Sequence, residues 1–349
     1  MKQLYRKYLT ALIAVFIISP VLLFAGNKDR TGEAGADELL INPWGASSGW
    51  GNCNSGTVRG VEGTFINIAG TAFTKGTDVA FSYMRYITSN IYTVGLTQQV
   101  GETGVIGLYL TNISWGEIER TTTDSPEGGL GTYSPNYINI GLSYSKMFSN
   151  SIYGGIQVKI INESISNLSA TGIGFDVGIQ YVTGKTDNLK FGITLKNWGP
   201  TMRFNGDGLA IRTTLNGHGQ NQFTLQARAS EFELPAQLLI GLAYDFNFEN
   251  DYRLTLAGTF ISNAFSNDQI AVGAEVSLKN ILILRGGYTY ENGIFNLETR
   301  RSIYSGPSCG ATIKIPVNKK TKTGFDLDYS YRFTSRVSGI HTVGLKFDF

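Results

Sequence analysis

Charge is scarce in this sequence. Only 16% of its 349 residues are Asp, Glu, Lys or Arg, against roughly 25% in an ordinary soluble domain. Long apolar runs are scarcer still. The mean hydropathy is −0.05, whereas a bundle of membrane helices needs about 20 successive apolar residues for each span. A membrane β-barrel falls between these two classes, because only alternate residues of each strand face lipid. Cysteine is limited to Cys53 and Cys309. That is too few for a disulfide scaffold and has no metal-ligand spacing, leaving a single bridge or two unpaired thiols as the alternatives. The two histidines, His218 and His341, have no evident nucleophile or acid beside them. A hydrolase of Ser–His type needs such a partner, so the chain reads as a non-enzyme with no cofactor. No basic patch calls for nucleic acid.

What the chain does have is 43 glycines, 18 tyrosines and 20 phenylalanines, a mixture that suits pleated strands rather than helices. Its length allows one large domain or two ordinary ones. The N-terminus opens with Lys2, Arg6 and Lys7, continues through an apolar stretch over residues 10–25, and reaches Ala25 before polar Gly26-Asn27-Lys28. This is the pattern of a secretory signal peptide cleaved after Ala25. The alternative, a single membrane anchor, suits the stretch less well because it is short and is interrupted by Pro20. Removing the three basic residues leaves the 29 Lys and Arg one short of the 27 Asp and Glu.

From about residue 77 the chain alternates with a period of two. Val343, Leu345, Phe347 and Phe349 share one face, opposite Thr342, Gly344, Lys346 and Asp348. Phe325, Leu327, Tyr329, Tyr331 and Phe333 likewise oppose Asp326, Asp328, Ser330 and Arg332. Successive strand side chains leave on opposite faces, so one face is apolar with aromatic ends and the other is small or polar. A soluble sandwich would alternate too. Segments of about 9–11 residues with aromatics near both ends favour a membrane barrel, as does a chain that ends within a strand. Strands are expected at 77–87, 91–100, 103–113, 137–146, 151–162, 172–182, 189–197, 236–246, 252–260, 270–278, 281–290, 308–315, 324–333 and 340–349. The long gaps, 114–136, 163–171, 198–235, 261–269 and 291–307, all follow odd-numbered strands. Outer-membrane barrels have short periplasmic turns and long extracellular loops, so both termini are expected in the periplasm.

Residues 26–76 do not alternate. They are too long for a simple tail and read as a hatch folded into the lumen, the alternative being a periplasmic extension. The division is therefore signal peptide 1–25, hatch 26–76 and barrel 77–349: an all-β transmembrane antiparallel barrel of about fourteen strands with an N-terminal plug. Candidate hatch residues are Leu40, Pro43, Trp44, Asn67, Ala69 and Gly70. The long 198–235 segment is more apolar than a solvated loop, and Trp198, Met202, Arg203, Phe204 and Phe223 mark it either as a partner surface or as self-packing over the barrel mouth. Charges at Glu275, Arg285, Asp326, Asp328, Arg332, Lys346 and Asp348 read as luminal ion pairs, or else as a polar channel or docking surface. The Asn-x-Ser sequons between Asn162 and Ser169 read as chance.

The segments Ala34–Pro43, Asn67–Gly70, Lys159–Ala170, Asn197–Phe204, Glu233–Pro235 and Leu284–Tyr290, in this order and spacing, resemble the PorV/PorQ family of Bacteroidetes outer-membrane proteins, which is similar in fold to the FadL-type transporters. The family's Asn-Pro-Ala-Gly turn has Ile68 in place of proline here. The resemblance implies a fourteen-stranded barrel with a hatch, acting as an accessory of type IX protein secretion. Its implied partners are translocon subunits and the C-terminal signal domains of secreted proteins, beside outer-membrane lipid. A FadL-like transporter of hydrophobic small molecules is the second expectation and a general porin the third. The small and polar inward residues argue against a greasy lumen, although Leu39, Leu40, Ile41, Trp44, Phe65 and Ile66 supply apolar surface in the hatch.

Overall fold

The computed structural model describes residues 30–349 apart from 215–221, 297, 299, 301, 319–322 and 336. The expected signal peptide, its cleavage point and His218 lie outside the described residues. Fourteen antiparallel strands close into one barrel. In chain order they are β1 (Thr77–Tyr86), β2 (Ser89–Val100), β3 (Gly104–Ser114), β6 (Asn136–Met147), β7 (Ile152–Ile165), β8 (Leu168–Thr183), β9 (Leu189–Trp198), β12 (Gln237–Asn247), β13 (Tyr252–Asn263), β14 (Gln269–Leu278), β15 (Leu282–Glu291), β16 (Tyr304–Asn318), β17 (Thr323–Thr334) and β18 (Ile340–Asp348). Two small hairpins decorate the loops, β4 (Ile118–Glu119) with β5 (Thr132–Tyr133), and β10 (Ala210–Thr214) with β11 (Gln222–Gln226). β1 pairs with β18, from Asp78 opposite Asp348 to Arg85 opposite His341, and this seam closes the sheet.

The barrel is inverted relative to a soluble core. Outward positions carry large apolar side chains with nothing over them: Leu142 is 60% exposed and Ile156 57%. Exposed apolar surface on this scale marks a lipid-facing wall, and the protein is an outer-membrane β-barrel. Aromatic contacts flank the apolar band. Tyr181–Phe191 and Phe325–Phe347 lie near the short-turn end, and Tyr83–Tyr92 and Phe175–Trp198 near the long-loop end, as interfacial girdles do. His341 sits on this outer face, its Nδ1 2.8 Å from the Tyr329 hydroxyl. One expected loop is absent. β7 and β8 continue through 163–171 and turn at Ser166–Asn167, where Ser166 takes a positive φ of 52°. The polar residues Asn162, Ser164 and Ser169 sit on strands instead of a loop.

The N-terminal segment lies against the inward faces of strands on opposite sides of the barrel. It is built from five short helical turns: Asp37–Leu40, Gly45–Gly49, Gly60–Glu62, Gly63–Ile66 and Ile68–Phe73. Such turns leave many carbonyls without a partner, and the wall supplies the donors. Ser82 donates to the Pro43 carbonyl, Thr289 to Gly51, Thr259 to Cys53, Gln157 to Thr64, and Gln180 to both Ser55 and Val58. Within the segment, the Glu62 carboxylate accepts from the Ser47 amide at 2.9 Å and from the Ser47 hydroxyl. Asn67 opens its turn without a following proline: its side-chain oxygen accepts from the Ala69 amide at 3.1 Å, and its amide nitrogen donates to the Ser55 carbonyl.

Glycine on the inward face makes the approach possible. A Cβ at Gly287 would collide with the Trp50 carbonyl, and one at Gly192 with the Ser55 carbonyl. Gly241 and Gly273 leave the same room for Gly56 and Cys53, and Gly95 for Trp44 and Val61. Several of the inward charges form ion pairs: Arg285 with Glu275 at 2.7 Å, Lys159 with Asp176 at 2.7 Å, and Lys190 with Asp245. Cys53 is buried and Cys309 is exposed on the outer face, both as free thiols.

Two outcomes follow. Gln180→Leu leaves the Val58 carbonyl without its side-chain donor, and an orphaned buried acceptor costs about 1–3 kcal/mol. Thermal unfolding in detergent is expected to shift down, while the barrel still assembles as a heat-modifiable species on gels. In the folded wild type, a maleimide reagent labels Cys309 and spares Cys53 until the protein is denatured.

Candidate functional site

The segment does not fill the barrel evenly. At the long-loop end a cavity of about 620 Å³ remains beside it, within the size range of small-molecule sites. The wall explains the space. Lower on β12 the inward residue is Gly241, which admits the segment's backbone; two residues earlier it is Leu239, paired across the sheet with Ile261 of β13. These two large side chains join Leu40, Phe65, Ile66 and Phe265 in the apolar part of the lining, which also includes Ile41, Ile294 and Ile303. Polar pairs rim it: Gln237 donates to Asn263 at 2.7 Å, and Gln269 to Glu291 at 2.9 Å. Arg332 lies over the Tyr304 ring at 3.5 Å on the far side.

A second, much smaller void of about 20 Å³ lies deeper, between the segment and β3, β6, β7, β8 and β9. Its lining is mixed, with Glu38, Asn139, Lys159 and Asp176 beside Leu39, Ile41, Pro43 and Phe65. Ile41, Phe65 and Lys196 line both spaces and so form the partition between them. Glu38 is buried, with its Oε1 unpartnered. Desolvation is the main cause that raises its carboxyl to about 8, with the neighbouring Glu163 carboxyl second.

The sequence-selected residues divide in two. Leu40 lines the larger cavity and Pro43 the inner void. Trp44 packs with Val61 and Ala80, Asn67 ties the segment to itself and to the Ile179 carbonyl, and Ala69 and Gly70 are buried beside it. The five loop residues do not converge on a site. Met202 is buried with Ile161, Ala170 and Leu234, and Phe204 packs against Phe232. Arg203 faces Glu231 at 3.7 Å, Trp198 lies against Phe175 on the outer surface, and Phe223 belongs to the β10–β11 hairpin. None of the five lines the cavity. The residues that do line it, Lys196, Leu239 and Ile261 above all, went unselected. The signal for Leu239 is a break in the alternation: Leu238-Leu239-Ile240 places a large apolar side chain on the face where β12 next carries Gly241.

No protein-family model and no curated protein sequence matches the chain. Solved structures do. The CymD monoaromatic hydrocarbon channel superposes with a TM-score of 0.57 at 12% identity, over 88% of this chain and 97% of its own. The Pseudomonas putida toluene transporter TodX gives 0.55 at 13%, over 84% and 94%. A Pseudomonas aeruginosa FadL homologue gives 0.51 at 13%, over 87% and 98%. The fold is that of these outer-membrane channels. This corrects the expectation of a type IX secretion accessory of PorV/PorQ type, with translocon subunits and secreted signal domains as partners. Nearly the whole chain superposes on small-molecule channels. The described residues contain no cluster of His, Cys, Asp and Glu able to hold a metal.

Stability should depend on pH through Glu38. A carboxyl whose folded pKa is raised binds a proton more readily folded than unfolded, so stability falls as pH rises from the ordinary carboxyl range to about 8 and levels off above. Unfolding temperatures measured across this window should drop for the wild type, with a shallower drop for Glu38→Gln.

Proposed function

We propose that the protein is a FadL-like outer-membrane channel for small hydrophobic molecules. In this reading residues 26–76 are its hatch, residues 1–25 a cleaved export signal, and both termini periplasmic. The observation that carries it is the cavity of about 620 Å³ left between the segment and the wall, with Leu239, Ile261, Phe65 and Phe265 on its lining. A general porin needs an open aqueous lumen. Here the segment's backbone is held from several sides of the wall by Ser82, Gln157, Gln180, Thr259 and Thr289. The parity of loop lengths supports the orientation. Connections after β2, β6 and β8 are short, while those after β3 and β9 are long enough to hold hairpins, and long loops are extracellular in outer-membrane barrels. The mouth of the cavity then faces outside the cell. Apolar solutes entering there would leave water for the lined pocket, gaining the ordinary free energy of apolar burial.

Cells producing the protein should take up radiolabelled toluene faster than cells carrying an empty vector. The double variant Leu239→Asp, Ile261→Asp places unpaired charge in the apolar lining, which costs several kcal/mol. Uptake should fall by roughly tenfold or more with the barrel still assembled. Equal uptake with and without the protein would refute the reading.

A further inference from the structure

The outer wall carries a polar row at the edge of its lipid-facing band, and the row straddles the closing seam. Arg85 of β1 lies directly opposite His341 of β18, the last pair of that seam at the long-loop end. The register sets Asn90 of β2 on the other side of Arg85, and Tyr331 of β17 beyond His341. Among the described residues of the barrel strands that face outward at this end, Arg85 is the one Arg, Lys, Asp or Glu. Its guanidinium has no hydrogen bond or ion pair with any described residue.

Two tyrosines of the next outward row hold the side chains that flank it. The Tyr83 hydroxyl donates to Asn90 Oδ1 at 2.8 Å, which leaves the Asn90 amide nitrogen as a free donor. The Tyr329 hydroxyl meets His341 Nδ1 at 2.8 Å, which leaves Nε2 as the free ring nitrogen, and the Tyr331 ring packs on the imidazole with centroids 4.9 Å apart. Directly opposed residues on antiparallel strands have Cβ atoms about 4.5–5.5 Å apart, so groups on β2, β1 and β18 can reach one small anion. Below these tyrosines the wall turns apolar, with Phe81 and Val94 paired across β1 and β2 and exposed.

We infer that this row binds the phosphate of a lipid in the leaflet at the long-loop end. The Arg85 fork takes two phosphate oxygens, a geometry that suits guanidinium better than ammonium, and Asn90 and His341 flank them. The acyl chains run down over Tyr83, Phe81 and Val94. That apolar track, continuous with the row, is what fits a lipid rather than a free anion, since inorganic phosphate would leave it unused. Because β1 and β18 are the first and last strands, a phosphate held by Arg85 and His341 together braces the seam where the barrel closes. The site lies on the outer wall, so the inference goes beyond the channel reading and does not depend on the cavity.

The test is native mass spectrometry of the purified full-length protein in detergent, titrated with dioleoyl phosphatidate or with dioleoylglycerol, which has the same acyl chains and no phosphate. Arg85→Met, His341→Leu and Lys146→Met are compared with the wild type, each checked for heat-modifiable migration. Lys146 faces outward at the short-turn end of β6 and controls for diffuse charge attraction. The wild type should prefer phosphatidate by about tenfold or more, as charge-assisted hydrogen bonds imply. Arg85→Met should lose the preference, His341→Leu should weaken it, and Lys146→Met should keep it. Phosphatidate should also raise the unfolding temperature of the wild type and not that of Arg85→Met. A wild type without the preference overturns the proposal, as does a folded Arg85→Met that retains it. Equal loss in Lys146→Met assigns the binding to general charge and overturns it too. Complete displacement of phosphatidate by excess inorganic phosphate assigns the row to free anions, which overturns the lipid site. None of these results touches the channel reading.

Discussion

A peptide segment enclosed by a closed barrel has lost water as a hydrogen-bond partner, and this constraint organises the molecule. The turns between Asp37 and Phe73 are too short to satisfy their own carbonyls, so the barrel does it for them. Side chains from β1, β7, β8, β13 and β15 donate to carbonyls spread from Pro43 to Thr64. Each bond is modest in net terms, about 1 kcal/mol, but leaving a buried acceptor empty costs more. The polarity of the inner wall therefore belongs first to the segment it holds.

Seen this way, the inward face of a single strand has two zones. On β12, Gly241 lets the segment's backbone come against the sheet, and Leu239 above it holds the segment away. On β15, Gly287 receives the Trp50 carbonyl, while Glu291 belongs to the cavity rim. Contact and cavity thus alternate along the same strands. The lining of that cavity mixes apolar side chains with polar pairs that satisfy one another.

The barrel was legible because period-two alternation is a direct consequence of strand geometry, and one lipid-facing side makes it unusually clean. Strand number and the placement of most strands followed from it. The 163–171 turn did not: Asn162, Ser164 and Ser169 are polar enough to read as loop, but past the bilayer a strand can carry polar residues on both faces. The function read from resemblance fared worse. Shared turns such as Asn67–Gly70 and the run Asn197–Phe204 report how a segment packs in a barrel, and Met202 and Phe204 are apolar because they pack on Ile161, Leu234 and Phe232. The cavity was hidden because it depends on inward residues that interrupt the pattern. Leu239 and Ile261 each look unremarkable until the register places them opposite each other.

The N-terminal segment lies in the lumen and leaves a bounded cavity rather than a water-filled pore. Single-channel recording of the full-length protein in a planar bilayer tests it most directly. No steady ohmic conductance is expected, with current appearing only when the segment's anchoring is weakened, as by Gly287→Leu, which would drive a side chain into the Trp50 carbonyl. A large, steady, porin-like conductance from the wild type would contradict it.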